Sequence, residues 1–386
     1  MRFIIITLLC LLAFQTTDAQ KKAKALSKSE SETIVEKAWK DALAKHKDMH
    51  SQEWEQRTMK SGEYTMPFDV RVYGEKPADG RSLYISMHGG GNTAKSVNDQ
   101  QWRNQMTLYT PYEGVYIAPR AAVDDWNMWF RPHIDTLFAK IILCASYQLD
   151  VNPNKVYLLG YSAGGDGAYR MAPRMADYWA AASMMAGHPG EASPLNLRNI
   201  GFMVWMGEND NAYNRNSLAV KYGFMMDSLQ NADSEGYIHK TTIVKDCGHW
   251  MNRADTAAIE WMNDFVRNPY PKRIVWRQEE SGLRDCFYNL SIHKEEADRG
   301  KELRIEYDGN TINIIRNDYD TFFIHLNDKI VNLSKPVTIS HNGKKIFKGK
   351  VERKAEHIHS SIDKRMDPAY IFCAQIEVNG NKAVVR

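Results

Sequence analysis

Short apolar runs alternate with longer helical patterns between residues 61 and 269. The runs that predict strands are 83–87, 115–118, 156–159, 181–185, 202–205 and 241–244. The helical patterns between them cover residues 134–147, 165–176, 217–229 and 254–265. Strands that alternate with helices of this length predict a mostly parallel sheet with helices on both faces. In such sheets, ligand sites lie beyond the carboxyl ends of the strands.

A different pattern begins after the sequence Asn268-Pro269-Tyr270-Pro271, which breaks the last helix and predicts a linker. Residues 270–386 carry short, alternating, β-rich runs at 303–307, 311–315, 321–326 and 371–378. The pairs Asp308-Gly309, Asn342-Gly343 and Asn379-Gly380 separate such runs, and pairs of this type are strong hairpin signals. This region is therefore predicted to be a small antiparallel all-β domain with a sandwich-like architecture.

Residues 20–60 are charged, with apolar side chains at helical spacing: Ala38, Trp39, Ala42 and Leu43. The pattern predicts a surface helix packed on the main domain, and a partner-binding arm is the alternative.

Ahead of this segment, residues 1–19 combine Arg2, an apolar run over 3–14 and a small residue at Ala19. The run is shorter than the ~20 apolar residues of a membrane span. It predicts a cleaved signal peptide, a secreted or periplasmic protein and no stable membrane insertion.

Composition changes this picture little. The 386 residues predict about two domains. The net charge is +3, from 50 basic and 47 acidic residues, which gives no reason to expect nucleic acid as a partner.

Four cysteines follow the predicted signal peptide: Cys144, Cys247, Cys286 and Cys373. Their pairing stays open, although Cys144 lies in an apolar stretch that favours a buried thiol. No metal site is predicted, because His357 and His359, which would share a strand face, lack an evident third ligand.

The first chemical motif is Gly160-Tyr161-Ser162-Ala163-Gly164, which lies between a predicted strand and a predicted helix. This context is the one that a nucleophile elbow requires, because the tight turn tolerates only very small residues beside the serine. The motif predicts Ser162 as a nucleophile whose hydroxyl stands above the sheet. A plain glycine-rich turn is the alternative.

A second glycine cluster, His88-Gly89-Gly90-Gly91, follows the predicted strand 83–87. A tetrahedral intermediate needs preorganised N–H donors for its oxyanion, and glycines let the main chain come close enough to supply them. We therefore expect Gly89, Gly90 and Ala163 to form an oxyanion hole. His88 is expected to orient this loop rather than act as a base, and the loop lacks the lysine of a phosphate-binding P-loop.

Two further strand ends carry an acid and a base. The run 202–205 leads to Asp210, and the run 241–244 leads to His249. The chain order serine, aspartate, histidine is that of α/β-hydrolases. We therefore predict a catalytic triad of Ser162, Asp210 and His249, with Glu208 as the rival acid.

From residue 82 to residue 265 the chain resembles an α/β-hydrolase. Within that superfamily it is similar to the secreted esterase branch of polyhydroxybutyrate-depolymerase-like and feruloyl-esterase-like proteins. The resemblance rests on the two glycine motifs, the strand that ends at Asp210, and Gly248-His249. It implies hydrolysis of a carboxylic ester through an acyl-enzyme, without a cofactor. It does not fix the substrate, which we expect to be a small-molecule or polymeric ester, acylated polysaccharides included.

Six aromatic side chains follow or flank predicted strand ends and are candidates for the substrate rim: Trp102, Trp126, Trp129, Trp250, His133 and His188. Such side chains stack on sugars or aromatic acyl groups, although packing of long loops would also explain them. Two other functions remain open. One is a serine peptidase of the same fold, for which the segment ahead of the main domain is short. The other is a non-catalytic binding protein that uses the β domain for adhesion.

Overall fold

A computed structural model describes residues 25–386 of the protein, so the predicted signal peptide lies outside the described residues. The α-helices of this part are α1 Lys28–Glu55, α2 Lys95–Gln105, α3 His133–Gln148, α4 Ala163–Arg174, α5 Arg215–Ala232, α6 Ala257–Met262 and α7 Ala355–Arg365. The strands up to residue 244 are β1 Thr58–Ser61, β2 Tyr64–Tyr73, β3 Arg81–Met87, β4 Gly114–Pro119, β5 Val151–Tyr161, β6 Ala181–Met185, β7 Gly201–Gly207 and β8 His239–Val244.

These eight strands form one sheet in the order β1-β2-β4-β3-β5-β6-β7-β8. Strands β3 to β8 run parallel, and each contains one of the six predicted runs. The antiparallel strands β1 and β2 and the helix α2 were not predicted. Strand β2 carries Pro67, and a proline within a run argues against predicting a strand there.

Helices cover both faces of the sheet, as predicted. Along β3, the side chains of Leu83 and Ile85 join one apolar cluster, and Tyr84 between them joins another. Helices α3, α4 and α5 contribute to the first cluster, whereas α2 and α6 pack against the second. Burial on both faces explains why the central strands are continuous apolar runs.

The remaining strands build the C-terminal β domain. They are β9 Arg273–Arg277, β10 Cys286–Phe287, β11 Leu290–Ile292, β12 Glu302–Asp308, β13 Thr311–Asn317, β14 Thr321–Leu326, β15 Val337–His341, β16 Lys344–Gly349, β17 Ala374–Asn379 and β18 Lys382–Val385. They form two five-stranded sheets, β10-β11-β14-β17-β18 and β16-β15-β13-β12-β9. The three predicted turn pairs all join hairpins.

Two details of this domain differ from the prediction. Strands β13 and β15 pair in parallel, because the chain crosses between them rather than turning back. Helix α7 is inserted between β16 and β17, and it carries His357 and His359. The two histidines therefore do not share a strand face.

Helix α1 links the two halves of the molecule. It packs against α7 of the β domain and against β1 and α3 of the α/β domain. Its Trp54 ring lies 5.4 Å from that of Phe68, and a capping box at Ser27 closes its N-terminus. A helix thus lies where the spacing of apolar residues predicts one, and it contacts both halves of the molecule. The predicted domain division at residue 270 stays a prediction, since one apolar cluster extends across it.

Candidate active site

Ser162 lies on the turn between β5 and α4. Its φ of 59° is in the left-handed region, which non-glycine residues rarely adopt and which a nucleophile elbow imposes. A β-carbon on Gly160 would lie 2.1 Å from the carbonyl oxygen of Gly164, and one on Gly164 would lie 2.1 Å from that of Met87. Only glycine fits at both positions, so the local sequence determines the turn that presents the serine.

His249 joins Ser162 to Asp210. Its Nε2 lies 2.9 Å from Oγ of Ser162, and its Nδ1 lies 2.7 Å from Oδ2 of Asp210. The carboxylate can only accept, so Nδ1 carries the proton and Nε2 is free to accept the one from the serine hydroxyl. The Asp210 side chain is 2% exposed and that of His249 is 44% exposed. The structure therefore brings the three predicted triad residues together in one hydrogen-bonded series.

The rival acid lies elsewhere. Oε2 of Glu208 accepts a hydrogen bond from the backbone N–H of Asp246 at 2.9 Å, which closes the turn after β8. Asp210 also has a cation nearby, since Arg215 lies 3.6 Å from its second carboxylate oxygen. The geometry thus favours Asp210 over Glu208 as the partner of the histidine.

Tyr161 positions the histidine loop, a role that sequence reasoning missed. Its hydroxyl donates to the carbonyl oxygen of His249 at 2.7 Å and accepts from the N–H of Met251 at 3.2 Å. The only available signal was its place beside the nucleophile, at the unspecified second position of the elbow motif.

The loop after β3 brings the main chain close to the nucleophile. A β-carbon on Gly89 would lie 3.2 Å from Cβ of Ser162. Gly90 has a φ of 103°, and a β-carbon there would lie 2.2 Å from Oδ1 of Asn98, which accepts the N–H of Gly91 at 2.8 Å. Asn98, on the unpredicted helix α2, therefore holds the loop, and only glycine fits at position 90.

His88 orients the same loop through two hydrogen bonds of its ring. Its Nε2 accepts the N–H of Ala121 at 3.2 Å, so its Nδ1 carries the proton and donates to the carbonyl oxygen of Gly89 at 2.6 Å. Because a trans peptide is planar, this bond turns the N–H of Gly90 the opposite way. Burial lowers the pKa of His88 to about 4, which keeps the ring neutral. The side chain is fully buried, so it is a positioning residue, as predicted.

A cleft of about 500 Å³ opens beside Ser162. Its walls come from the glycine loop, from α2 and from the histidine loop: Gly89, Gly90, Val97, Gln101, Asn104, Gln105, Leu108, Tyr161, Ser162, His249 and Trp250. Ala163 follows the nucleophile in the first turn of α4, where N–H groups lack partners within the helix. The cleft can therefore hold an acyl or alcohol group next to backbone N–H donors.

Of the six candidate rim residues, Trp250 lines this cleft. Trp126 is 60% exposed and lines a neighbouring cavity. His188 is half-buried after β6, with its N–H bonded to Asp166 at 2.6 Å.

Three of the candidates belong to the scaffold instead. Trp129 is fully buried and donates to the carbonyl oxygen of His88 at 2.8 Å, so it supports the glycine loop from inside. Trp102 packs against the core with its indole N–H bonded to Ala118 at 2.8 Å. His133 stacks on Tyr64, with ring centroids 3.7 Å apart. Trp129 and His133 are buried and Trp102 is half-buried, and none of the three lines the cleft beside Ser162.

The described cysteines and acidic side chains add neither a disulfide nor a metal site. Cys144, Cys247, Cys286 and Cys373 are all free thiols, and burial raises the pKa of Cys144 and of Cys373 to about 11. Within residues 25–386, no group of three histidine, cysteine or acidic side chains is arranged to hold a metal ion. No helix in the same range is long and apolar enough to cross a membrane.

The strand order, the tight turn at Ser162 between β5 and α4, and the positions of Asp210 and His249 after β7 and β8 are those of an α/β-hydrolase fold with added β sheets at the C-terminus. No protein-family model and no curated protein matches the chain.

Among solved structures, a thermostable esterase is 20% identical, with a TM-score of 0.41 over 54% of this chain and 62% of that one. A ferulic acid esterase is 16% identical, with a TM-score of 0.40 over 54% of this chain and 95% of that one. A mutant feruloyl esterase module from Clostridium thermocellum, complexed with sinapinate, is 13% identical, with a TM-score of 0.39 over 54% of this chain and 86% of that one. The chain thus spans less than two thirds of the thermostable esterase.

Proposed function

We propose that the protein is a serine hydrolase of carboxylic esters that acts through an acyl-enzyme. The observation that supports this most strongly is the continuous hydrogen-bonded series Ser162, His249 and Asp210 at the open end of the sheet. The half-exposed histidine has access to substrate and water, whereas the buried aspartate is shielded from both.

In the proposed reaction, Oγ of Ser162 attacks the ester carbonyl while Nε2 of His249 takes its proton. Asp210 stabilises the resulting imidazolium and holds its orientation. The N–H groups of Gly89, Gly90 and Ala163 stabilise the oxyanion. His249 then gives its proton to the departing alcohol, which leaves the acyl group on Ser162. Water, activated by the same histidine, releases the carboxylic acid and restores the serine. No step requires a cofactor.

A fluorophosphonate probe tests whether the serine is activated. We expect covalent labelling of the wild-type protein and no labelling of Ser162→Ala, with Ser228→Ala, an exposed serine on α5, as the matched control. Absence of labelling in the folded wild type would contradict the proposal and favour a non-catalytic binding protein.

A substrate panel then separates the reaction classes. It contains p-nitrophenyl esters, feruloyl esters, acetylated xylan and short peptides. We expect turnover of esters and none of peptides. Cleavage of peptides in preference to esters would replace the proposal with a serine peptidase of the same fold.

We also propose that the protein is exported, with cleavage after Ala19. The support is the pattern of Arg2, the apolar run and the small residue before the cut. Sequencing the N-terminus of the exported protein should give Gln20 as the first residue. Retention of Met1 in the exported fraction would contradict cleavage.

A further inference from the structure

A second cavity of about 500 Å³ lies where the α/β domain meets the β domain. Trp126, Phe130 and Arg170 line it from the α/β domain, and Glu279, which follows β9, lines it from the other side. We call this space the junction cavity. Nothing in the proposed triad reaction uses it.

Arg170 is a buried cation that faces the junction cavity. It is 7% exposed, and its guanidinium donates to the carbonyl oxygens of Asp166 and His188, both at 3.1 Å, and lies 4.3 Å from the centre of the Phe130 ring. Among residues 25–386, no carboxylate lies within 4.0 Å of it. A buried charge is costly unless an opposite charge pairs with it, so this side chain is suited to an anion that enters the cavity.

Glu279 does not neutralise that cation. It is 2% exposed, and burial raises its pKa to about 8, so the carboxyl is mostly protonated at neutral pH. One of its oxygens accepts the N–H of Ser193 at 3.2 Å. Its other oxygen lies 3.5 Å from the side-chain nitrogen of Asn196, and the raised pKa disfavours a negative charge at this position.

The other charged side chains of the cavity are engaged with one another or open to solvent. Arg131 pairs with Asp125, and Arg299 lies 3.8 Å from Glu280. Glu191 is exposed at the edge. Arg170 is therefore the cation of the cavity that a ligand anion can approach without displacing an ion pair.

The junction cavity lies close to the nucleophile. A β-carbon on Gly91 would lie 3.6 Å from Cβ of Ala163 and 3.4 Å from Cα of Trp126, so this tryptophan adjoins the glycine loop that follows β3. Asp166, whose carbonyl oxygen accepts from Arg170, is one helical turn from Ser162. One turn plus one hydrogen bond places the guanidinium roughly 10 Å from the nucleophile. That distance is spanned by a single sugar ring with its substituents.

We propose that the junction cavity binds a carboxylate-bearing sugar ring, a uronic acid, in the part of the substrate that extends beyond the ester. Arg170 pairs with the carboxylate, because guanidinium binds carboxylates with directed hydrogen bonds. Glu279 bonds a ring hydroxyl, and the exposed Trp126 offers a flat face for stacking. This inference rests on the proposed ester hydrolysis at Ser162 and names its substrate class.

The test compares two substrates that differ only in charge, O-acetylated galacturonic acid and O-acetylated galactose. Release of acetate gives kcat/KM for each. We expect the wild type to prefer the uronic acid, and Arg170→Gln to reduce that preference by about tenfold or more, which is typical when a hydrogen bond to a charged group is lost. Arg71→Gln, which removes an exposed cation from β2, is the matched control and should keep the preference.

Because Arg170→Gln could unfold, calorimetry on the Ser162→Ala variant provides a second measurement with the cavity intact. Galacturonate should bind it more tightly than galactose does. Equal kcat/KM for the two esters in the wild type, or equal affinity for the two sugars, would overturn the inference. Fluorophosphonate labelling distinguishes this outcome from failure of the proposed function: a labelled protein without the preference refutes only the substrate class.

Discussion

In two regions of the molecule, a buried aspartate pairs with a basic side chain. The two pairs differ in whether that basic side chain is exposed to solvent. In the active site, Asp210 is buried but its partner His249 is half-exposed. At the junction of the two domains, Asp177 is fully buried, and Arg365, 4% exposed, donates to it at 2.6 Å. A second buried pair at this junction joins Arg267 to Asp367 at 2.7 Å.

We expect the pair of His249 and Asp210 to affect the reaction rate and the pair of Arg365 and Asp177 to affect the stability of the fold. In the proposed reaction, His249 takes up and releases a proton, so the charge of its pair with Asp210 would develop only during turnover, when it would lower a barrier. The arginine at the junction keeps its charge, so Asp177 and Arg365 compensate each other permanently. Removing one partner there leaves an uncompensated buried charge, which is strongly destabilising. Mutations in the first region should therefore change turnover, and mutations in the second should change the free energy of unfolding.

The largest expected effect is on turnover. Ser162→Ala should reduce kcat for a p-nitrophenyl ester by about 10⁴-fold to 10⁶-fold, because triad residues act as a unit. The double variant with His249→Ala should be little worse than the single one. Steady-state kinetics measure both, and thermal unfolding should show a melting temperature close to that of the wild type. A large loss of melting temperature would mean that the site also stabilises the fold.

The next effect is on stability. Asp177→Ala should lower the free energy of unfolding by about 3–5 kcal/mol, since it leaves Arg365 buried without its partner. Urea denaturation measures this change. The control is Asp285→Ala, which removes a more exposed pair with Lys364 at 2.8 Å and should cost less than about 1 kcal/mol. Equal losses in the two variants would contradict the expected difference in stability between the buried and the exposed ion pair.

Glu279, at the junction of the two domains, should make the free energy of unfolding depend on pH. Glu279 has a folded-state pKa of about 8 against a reference of 4.5, so the folded state binds its proton more tightly. Its contribution to stability is fully present below pH 4.5 and is lost as the pH rises through about 8. The loss approaches about 1.4 kcal/mol per pH unit in that window.

Unfolding measurements from pH 5 to pH 8 on the wild type and on Glu279→Gln test this dependence. The glutamine variant cannot ionise at this position, so its stability should fall less steeply with rising pH. Parallel curves for the two proteins would show that Glu279 titrates as an ordinary exposed carboxyl.

The smallest effect concerns the cleft wall. Trp250→Ala should raise KM for an aryl ester by about fivefold and change kcat little, because the ring contributes contact area rather than chemistry. Tyr112→Ala removes a 93% exposed aromatic outside the cleft and serves as the control. A large loss of kcat in Trp250→Ala would place the tryptophan among the groups that position His249.

The predictions from sequence succeeded where a short segment carries its own constraint. Gly160 and Gly164 are required by contacts within the turn and with the adjacent strand, so the elbow motif is visible without a structure. They failed where exposure depended on packing. Trp129 and Trp126 are three residues apart in the same segment, yet one is fully buried and the other is 60% exposed. Composition cannot distinguish them, because the cover over Trp129 comes from other parts of the chain.

By itself, the sequence determined the parallel sheet and the C-terminal β sheets, and it singled out Ser162, Asp210 and His249 as candidates, since local periodicity and tight turns are short-range properties. Only the tertiary structure decided which residues surround them. Asp177 and Arg365 are 188 positions apart, and no local pattern relates them. The junction cavity likewise combines Arg170 with Glu279 from opposite sides of the predicted linker. Burial and pairing of charges depend on how distant segments pack, and that packing creates both the stability of the junction and the cation that faces its cavity.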